Sequence, residues 1–207
     1  MDLEKFFDKV NHDKLMTLLS KRIDDKPLLK LIRRYLRTGI LEGGLIQARE
    51  EGTPQGSPLS PILSNILLDE LDKELEIRGL RFVRYSDDVS IYVKSKRSAE
   101  RALQSITAYI EHTLLLKVNK EKSKVSRPMR STLLGFTFGK LQGEWKPLIS
   151  DKSKKRIKEK IKAVTSRRKS INLQERLTKL SQITIGWCSY YKLASCKSFQ
   201  PNCKKVG

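Results

Sequence analysis

Three cysteines among 207 residues do not make a disulfide framework. Cys188, Cys196 and Cys203 are odd in number and lack the spacing of a zinc knuckle, so they read as free thiols of a reducing compartment. Nowhere does an apolar run reach the roughly 18 residues that a membrane-spanning helix needs. The charged opening Asp2-Leu3-Glu4-Lys5 does not read as a secretory signal, and a cytoplasmic setting is expected. The strongest shortage is of acidic residues: Asp and Glu number 23 against 43 Lys and Arg, a net charge of +20. Solubility asks for much less on a chain this small, so a polyanionic partner is expected.

The basic excess is uneven. Residues 151–207 hold 16 basic and 3 acidic side chains, whereas residues 1–150 hold 27 and 20. The length suffices for one full core and a smaller appendage. The expected organisation is a body over 1–150 and a basic helical appendage over 151–207.

What is present centres on Tyr85-Ser86-Asp87-Asp88. The following Val89-Ser90-Ile91-Tyr92-Val93 alternates apolar and polar, the pattern of a half-buried strand. The preceding Phe82-Val83-Arg84 is aromatic and β-branched, which also suits a strand. The two aspartates therefore belong to a tight turn between strands. Turn chemistry is one explanation of the pair, since Asp favours turns. Two adjacent carboxylates repel each other, and between apolar strands they also offer several oxygens to a hard divalent cation.

Helical spacing appears in Leu15, Leu18, Leu19 and Ile23, with Asn11 or Asp13 as cap and His12 as a structural residue. A second helix starts after the Asp24-Asp25-Lys26-Pro27 break, and Gly39, Gly43-Gly44 and Gly52 punctuate a hairpin-like insertion. Ile62, Leu63, Ile66, Leu67, Leu71 and Leu75 trace one face of a surface helix. Its N-terminus follows Gln55-Gly56-Ser57, so amides there could meet a phosphate or base. Ala99 to Leu114 is helical, and Leu116-Lys117-Val118 and Leu133 to Phe138 read as strands, the latter ended by Gly139. The expected fold is α+β, with the element order of a ferredoxin-like sheet. Residues 151–171 form a basic amphipathic helix with the stripe Ile157, Ile161, Val164. Leu173, Leu177, Leu180 and Ile183 form another, leading to Trp187, Tyr190 and Tyr191.

Three blocks now stand in a recognisable order: Asp2-Leu3-Glu4-Lys5-Phe6-Phe7-Asp8, Thr53-Pro54-Gln55-Gly56-Ser57-Pro58-Leu59-Ser60-Pro61 and Tyr85-Ser86-Asp87-Asp88. Together they resemble reverse transcriptases. The run Phe6-Phe7-Asp8-Lys9-Val10-Asn11-His12, the form of the proline-rich loop, and Leu134-Gly135-Phe136-Thr137-Phe138 resemble the reverse transcriptase/maturase proteins of group II introns in particular. Gly186-Trp187-Cys188-Ser189-Tyr190-Tyr191 is similar to a block of their maturase, or thumb, region. The resemblance covers about residues 2 to 195; Ser86 stands where the family more often has Ala.

That resemblance implies a polymerase palm of ferredoxin-like type with a basic, thumb-like C-terminal region. It implies RNA-directed DNA synthesis on two Mg²⁺ ions about 3.5–4 Å apart, with Mn²⁺ as a possible substitute. Asp2, Asp87 and Asp88 would be the catalytic and metal-holding carboxylates, with Asp2 and Asp87 bridging both ions and Leu3 offering a backbone carbonyl. Phe7 would lie under the sugar of the incoming dNTP and exclude a 2′-hydroxyl. Gln55 and Gly56 would contact the nascent pair, and Lys122, or else Lys117, the triphosphate. Lys154, Lys155, Lys158, Lys162, Arg167 and Arg168 would follow the backbone of an RNA/DNA duplex or intron RNA. Trp187 and Tyr190 are expected in the core of the thumb rather than as base-stacking platforms.

Family members carry a fingers region and further strand residues ahead of the Asp2 block. Their absence here reads as truncation, with a separate fingers-containing fragment as the alternative and as a possible partner. A bacterial, RNA- or nucleoid-associated location fits these partners. A competing reading is a splicing cofactor that grips intron RNA without using its aspartates. A nucleotide cyclase on the same palm is disfavoured, because its Gly-Gly-Asp/Glu turn is absent.

Overall fold

The computed structural model describes residues 1–38, 50–54, 56–166 and 172–195, and the backbone of 40–42 and 45–47. Two compact units emerge, Met1–Val125 and Ser126–Gly207. Both helix and sheet are present, the sheet in small pieces.

The first unit opens with a single 3-10 turn at Phe6–Asp8, then helices α1 (His12–Ser20) and α2 (Lys26–Leu36). Side chains satisfy the free amides at both helix starts: Asn11 accepts from Lys14 and Asp25 from Leu28. Strands β1 (Ile40–Glu42) and β2 (Leu45–Gln47) pair as the expected hairpin. Then come α3 (Leu59–Ile77), β3 (Arg81–Tyr85), β4 (Asp88–Tyr92) and α4 (Lys96–His112), the last capped by Ser95.

Helix α3 is the centre of the core rather than a surface helix. Leu63, Leu67, Leu71 and Leu75 form one fully buried row at steps of four, and Ser64 and Leu68 a second beside it. Ile62, expected on that face, is 58% exposed, and Leu68 takes its place. The two positions lie about 120° apart around the helix, and a run rich in Leu and Ile leaves the helix phase undecided. Leu15, Leu19, Leu36, Ile106, Ile110, Leu114 and Val89 close over these rows. Leu67→Ala is expected to cost about 2–5 kcal/mol. Ile62→Ala should stay within about 0.5 kcal/mol. Denaturant unfolding of the two variants checks the assignment of faces.

Backbone hydrogen bonds extend β3 and β4 into a wider sheet. Met1 and Val89 exchange both of theirs, at 2.5 and 3.0 Å. Glu4 donates to Lys117 at 2.8 Å and Asn119 to Asp2 at 2.9 Å, around an antiparallel Leu3–Val118 bridge. The chain segments thus lie in the order 117–119, 1–3, β4, β3, each antiparallel to the next.

The second unit contains β5 (Phe136–Leu141), β6 (Glu144–Ile149), α5 (Asp151–Thr165) and α6 (Leu173–Tyr190). The expected strand from Leu133 begins three residues later, because Leu134 and Gly135 both take positive φ and form a turn. A side chain at Gly135 would run into the Tyr191 hydroxyl and Ser153. Gly139 does not end the strand; it lies within β5, opposite Lys146 of β6, a strand that sequence reading missed. Ser195 donates to Pro147 at 2.8 Å and Ser153 to Gly135 at 3.1 Å, so the hairpin groups with the two helices.

Trp187 and Tyr190 are not a buried core. Tyr190 is 53% exposed, and no residue of α6 is fully buried. Phe136, Trp187, Tyr190 and Tyr191 instead form a half-exposed aromatic cluster, with ring centres 4.8–5.8 Å apart. Two helices on a two-stranded hairpin offer too little surface to enclose four rings.

Candidate active site

The site follows from register. Because Met1 pairs with Val89, Asp2 falls opposite Asp88, and Leu3 opposite Asp87. Side chains alternate across a sheet, so the buried Leu3 and Val89 face the core while Asp2 and Asp88 share the other face. Asp87 stands beside them in the two-residue loop joining β3 to β4. Sequence reading put both aspartates in the turn; Asp88 in fact opens β4 and pairs with Tyr85. Ser86 carries the positive φ, 54°, that this kind of hairpin loop demands of its first residue.

Like charges placed opposite each other across strands repel. Partial burial, then Asp87 and Asp2, push the Asp88 carboxyl above its ordinary range, against the opposing pull of Lys122. Lys122 reaches 3.3 Å from the Asp2 carboxylate. Its segment is tied down locally: Asp2 donates to the Ser123 hydroxyl at 3.0 Å, and the Lys122 amide to Asn119 at 3.1 Å. Asp2 spends its carbonyl on Asn119. The Leu3 carbonyl, one residue on, points to the opposite side, toward the strand headed by Asp88. Among the described residues, no three carboxylate, imidazole or thiol side chains converge closely enough to form a ready-made ion cage.

Phe6 and Phe7 divide as their neighbours require. Phe6 is 2% exposed in the core, and Phe7 meets it edge-on at 5.2 Å. Phe7 is half-buried and lines a cleft of about 690 Å³ with Pro61, Ser64, Phe82 and the Tyr85–Ser86 turn. Its backbone is clamped from the 50–54 segment. Thr53, fully buried, donates its amide to the Phe7 carbonyl at 2.6 Å, and Gly52 donates to Val10 at 2.7 Å. Only glycine fits at 52: it has φ 85°, and a side chain would lie 2.7 Å from the Asp8 carbonyl. His12, buried, bonds the Gly52 carbonyl at 2.6 Å, the structural role expected of it.

Arg84 had been passed over in the sequence. Its guanidinium forks onto Asp72 of α3 (2.5–3.0 Å) and reaches the Asn65 side chain at 3.0 Å and the Ser86 carbonyl at 3.1 Å. No local signal marks it, since its partners come from another element. Gly56 is exposed with φ 84° and open space around it, while Gln55 lies outside the described residues.

In the second unit, Ser150 caps α5. Lys155, Lys158 and Lys162 are exposed and share one face at steps of three and four, opposite Ile157, Ile161 and Val164. Lys154 turns to Asp151 at 3.0 Å. Arg167 and Arg168 lie outside the described residues.

Residues 1–138 match the reverse transcriptase (RNA-dependent DNA polymerase) family, and the chain belongs to it. Residues 154–205 match the group II intron maturase-specific domain, which sets the chain in the group II intron branch. Its relatives agree. Group II intron-encoded protein LtrA of Lactococcus lactis subsp. cremoris is 34% identical, over 60% of this chain and 20% of LtrA. Protein YkfC of Escherichia coli K12 is 30% identical, over 60% of this chain and 42% of YkfC. The putative COX1/OXI3 intron 2 protein of Saccharomyces cerevisiae is 44% identical, over 37% of this chain and 9% of that protein. The chain spans less than half the length of these relatives. Reverse transcriptases use divalent metal ions, and among the described residues no helix is long and apolar enough to cross a membrane.

Proposed function

We propose that this chain is the palm and the beginning of the thumb of a group II intron reverse transcriptase, adding dNTP to a primer on an RNA template. The observation that carries this reading is the Met1–Val89 register, which sets Asp2 across from Asp88 and beside Asp87. The segment order 117–119, 1–3, β4, β3, with helices between the parallel pairs, supports a palm of ferredoxin-like type.

The donor set fits Mg²⁺. Asp2 and Asp88 on one sheet face, with Asp87 in the adjoining loop, are hard oxygen ligands, and desolvation and the neighbouring carboxylates Asp87 and Asp2 hold the Asp88 carboxyl above its ordinary range. Asp2, Asp87 and Asp88 would hold the ions, with the Leu3 carbonyl on the same side. When bound, such ions activate a primer hydroxyl and neutralise charge on the transferring phosphate. Lys122, now on Asp2, is long and exposed enough to turn toward a triphosphate. Phe7 sets the sugar that fits, and Gln55 and Gly56 would meet the nascent pair. Lys154, Lys155, Lys158, Lys162, Arg167 and Arg168 would hold an RNA/DNA duplex or intron RNA by its phosphates, whatever the sequence.

RNA binding alone does not separate this reading from a non-catalytic splicing cofactor; extension does. The test joins a family fingers region upstream and measures RNA-templated primer extension with dNTP and rNTP in Mg²⁺ and Mn²⁺. No extension in either ion removes the polymerase reading. With extension in hand, Phe7→Ala is expected to weaken discrimination against rNTP by about ten- to a hundredfold. Phe6→Ala, a core truncation, should instead cost about 3–5 kcal/mol of stability. A lowered melting point for Phe7→Ala with unchanged sugar choice would take Phe7 out of the site.

A further inference from the structure

We propose that Arg84 is a positioning residue that holds the Ser86–Asp87 turn, and with it the Asp87 carboxylate, in a single geometry. A guanidinium is a rigid planar fork. Here both prongs are engaged on helix α3, by Asp72 and by the Asn65 amide oxygen. The ion pair is mostly buried, its side chains only 15% and 23% exposed, so the fork is fixed by its surroundings rather than by a solvated contact. The remaining reach of Nη1 goes to the Ser86 carbonyl at 3.1 Å.

That carbonyl belongs to one of the few non-glycine residues at positive φ. Ser86 sits at φ 54°, which disfavours any side chain. Such a conformation persists where surrounding contacts over-determine it. Asp87 follows directly, so the orientation of its carboxylate depends on whether Ser86 stays there. A ladder from the deeply buried α3 through Asp72 and Arg84 to Ser86 thus couples the core to the turn. The simpler reading is that Arg84 merely straps β3 to α3, and the two readings differ in what a glycine at position 86 does.

The inference rests on Asp87 as a working carboxylate, but its main test needs no catalysis. Amide hydrogen exchange of residues 86–89 is measured in the 207-residue chain beside thermal unfolding, for Arg84→Lys, Asp72→Asn, Ser86→Gly and Arg84→Lys/Ser86→Gly. Arg84→Lys keeps the charge and loses the fork. It is expected to speed exchange at the turn by about tenfold or more, the scale of one charge-assisted hydrogen bond. Asp72→Asn should act in the same direction and covers the case in which Arg84→Lys folds poorly. Glycine accepts positive φ without penalty, so Ser86→Gly should restore most of the turn's protection in the Arg84→Lys background while leaving the lowered melting point unrestored.

In the extension assay, Arg84→Lys should lower kcat and raise the Mg²⁺ concentration needed, with KM for dNTP little changed, and Ser86→Gly should recover kcat. Turn exchange that merely follows the melting point, with no recovery by Ser86→Gly, overturns the proposal. If the wild-type chain fails to extend primers, the polymerase reading falls, and the exchange measurements still decide the role of Arg84.

Discussion

Replacing Asp87 by alanine is expected to lower RNA-templated extension by about a thousandfold or more, roughly 4 kcal/mol of transition-state stabilisation, while RNA binding stays intact. Asp87 sits in the loop next to the facing pair Asp2 and Asp88, on a sheet whose opposite face is packed with Leu3 and Val89. From that loop its carboxylate is placed to meet a cation. RNA affinity should hold or rise slightly, because removing a negative charge lessens repulsion of a polyanion. Extension at a near-normal rate in Asp87→Ala would show the carboxylates to be structural.

A stability effect of opposite sign should accompany the loss. Asp88 is pushed up first by partial burial and next by Asp87, so its charge is unfavourable in the folded state. A carboxyl raised on folding costs stability at pH values above its folded pKa, and the cost fades as pH falls to the ordinary carboxylate range. Asp87→Asn keeps the turn chemistry and removes one repelling charge. Its melting point should exceed wild type near neutral pH, and the gain should vanish in acid. An equal gain at all pH values would mean that repulsion is not its source.

RNA affinity is expected to fall about a thousandfold between roughly 50 and 200 mM salt if about six phosphates are neutralised. Helix α5 supplies that number: Lys152, Lys155, Arg156, Lys158, Lys160 and Lys162 are all exposed along it. Each cation on a phosphate releases condensed counterions, and the entropy of that release shrinks as salt rises. Changing Lys155, Lys158 and Lys162 together to Gln should flatten the slope by about three contacts' worth and weaken binding evenly across RNA sequences. A salt-independent affinity, or a slope untouched by the triple change, would place the binding surface elsewhere.

Much of the site could be read in the sequence because its signals are local. Val89, Ile91 and Val93 alternate around an Asp-Asp turn, which makes a hairpin with carboxylates at its tip. Asn11 announces a helix start by chemistry that acts across three residues. The crowding of Lys and Arg after residue 150 raises the expectation of a polyanion partner before any fold is known.

The remainder depended on pairing between distant segments. Met1 and Val89 lie 88 positions apart, and their pairing alone decides that Asp2 faces Asp88 on one side of the sheet. A slip of one residue would have turned Asp2 into the core. The buried side of α3 was undecided between Ile62 and Leu68 until α1, α4 and the sheet closed around it, since several of its phases are apolar. Gly139 reads locally as a strand end; the partner β6 makes it a strand interior. Arg84 has the composition of a solvated charge. Asp72 and Asn65, 12 and 19 positions away, make it a fork that touches the turn. By itself the sequence determined which residues carry charge, cap helices and form the Asp-Asp hairpin, because those properties act over a few bonds. Tertiary structure decided which carboxylates meet and what holds them, because register and burial are properties of segments brought together from far along the chain.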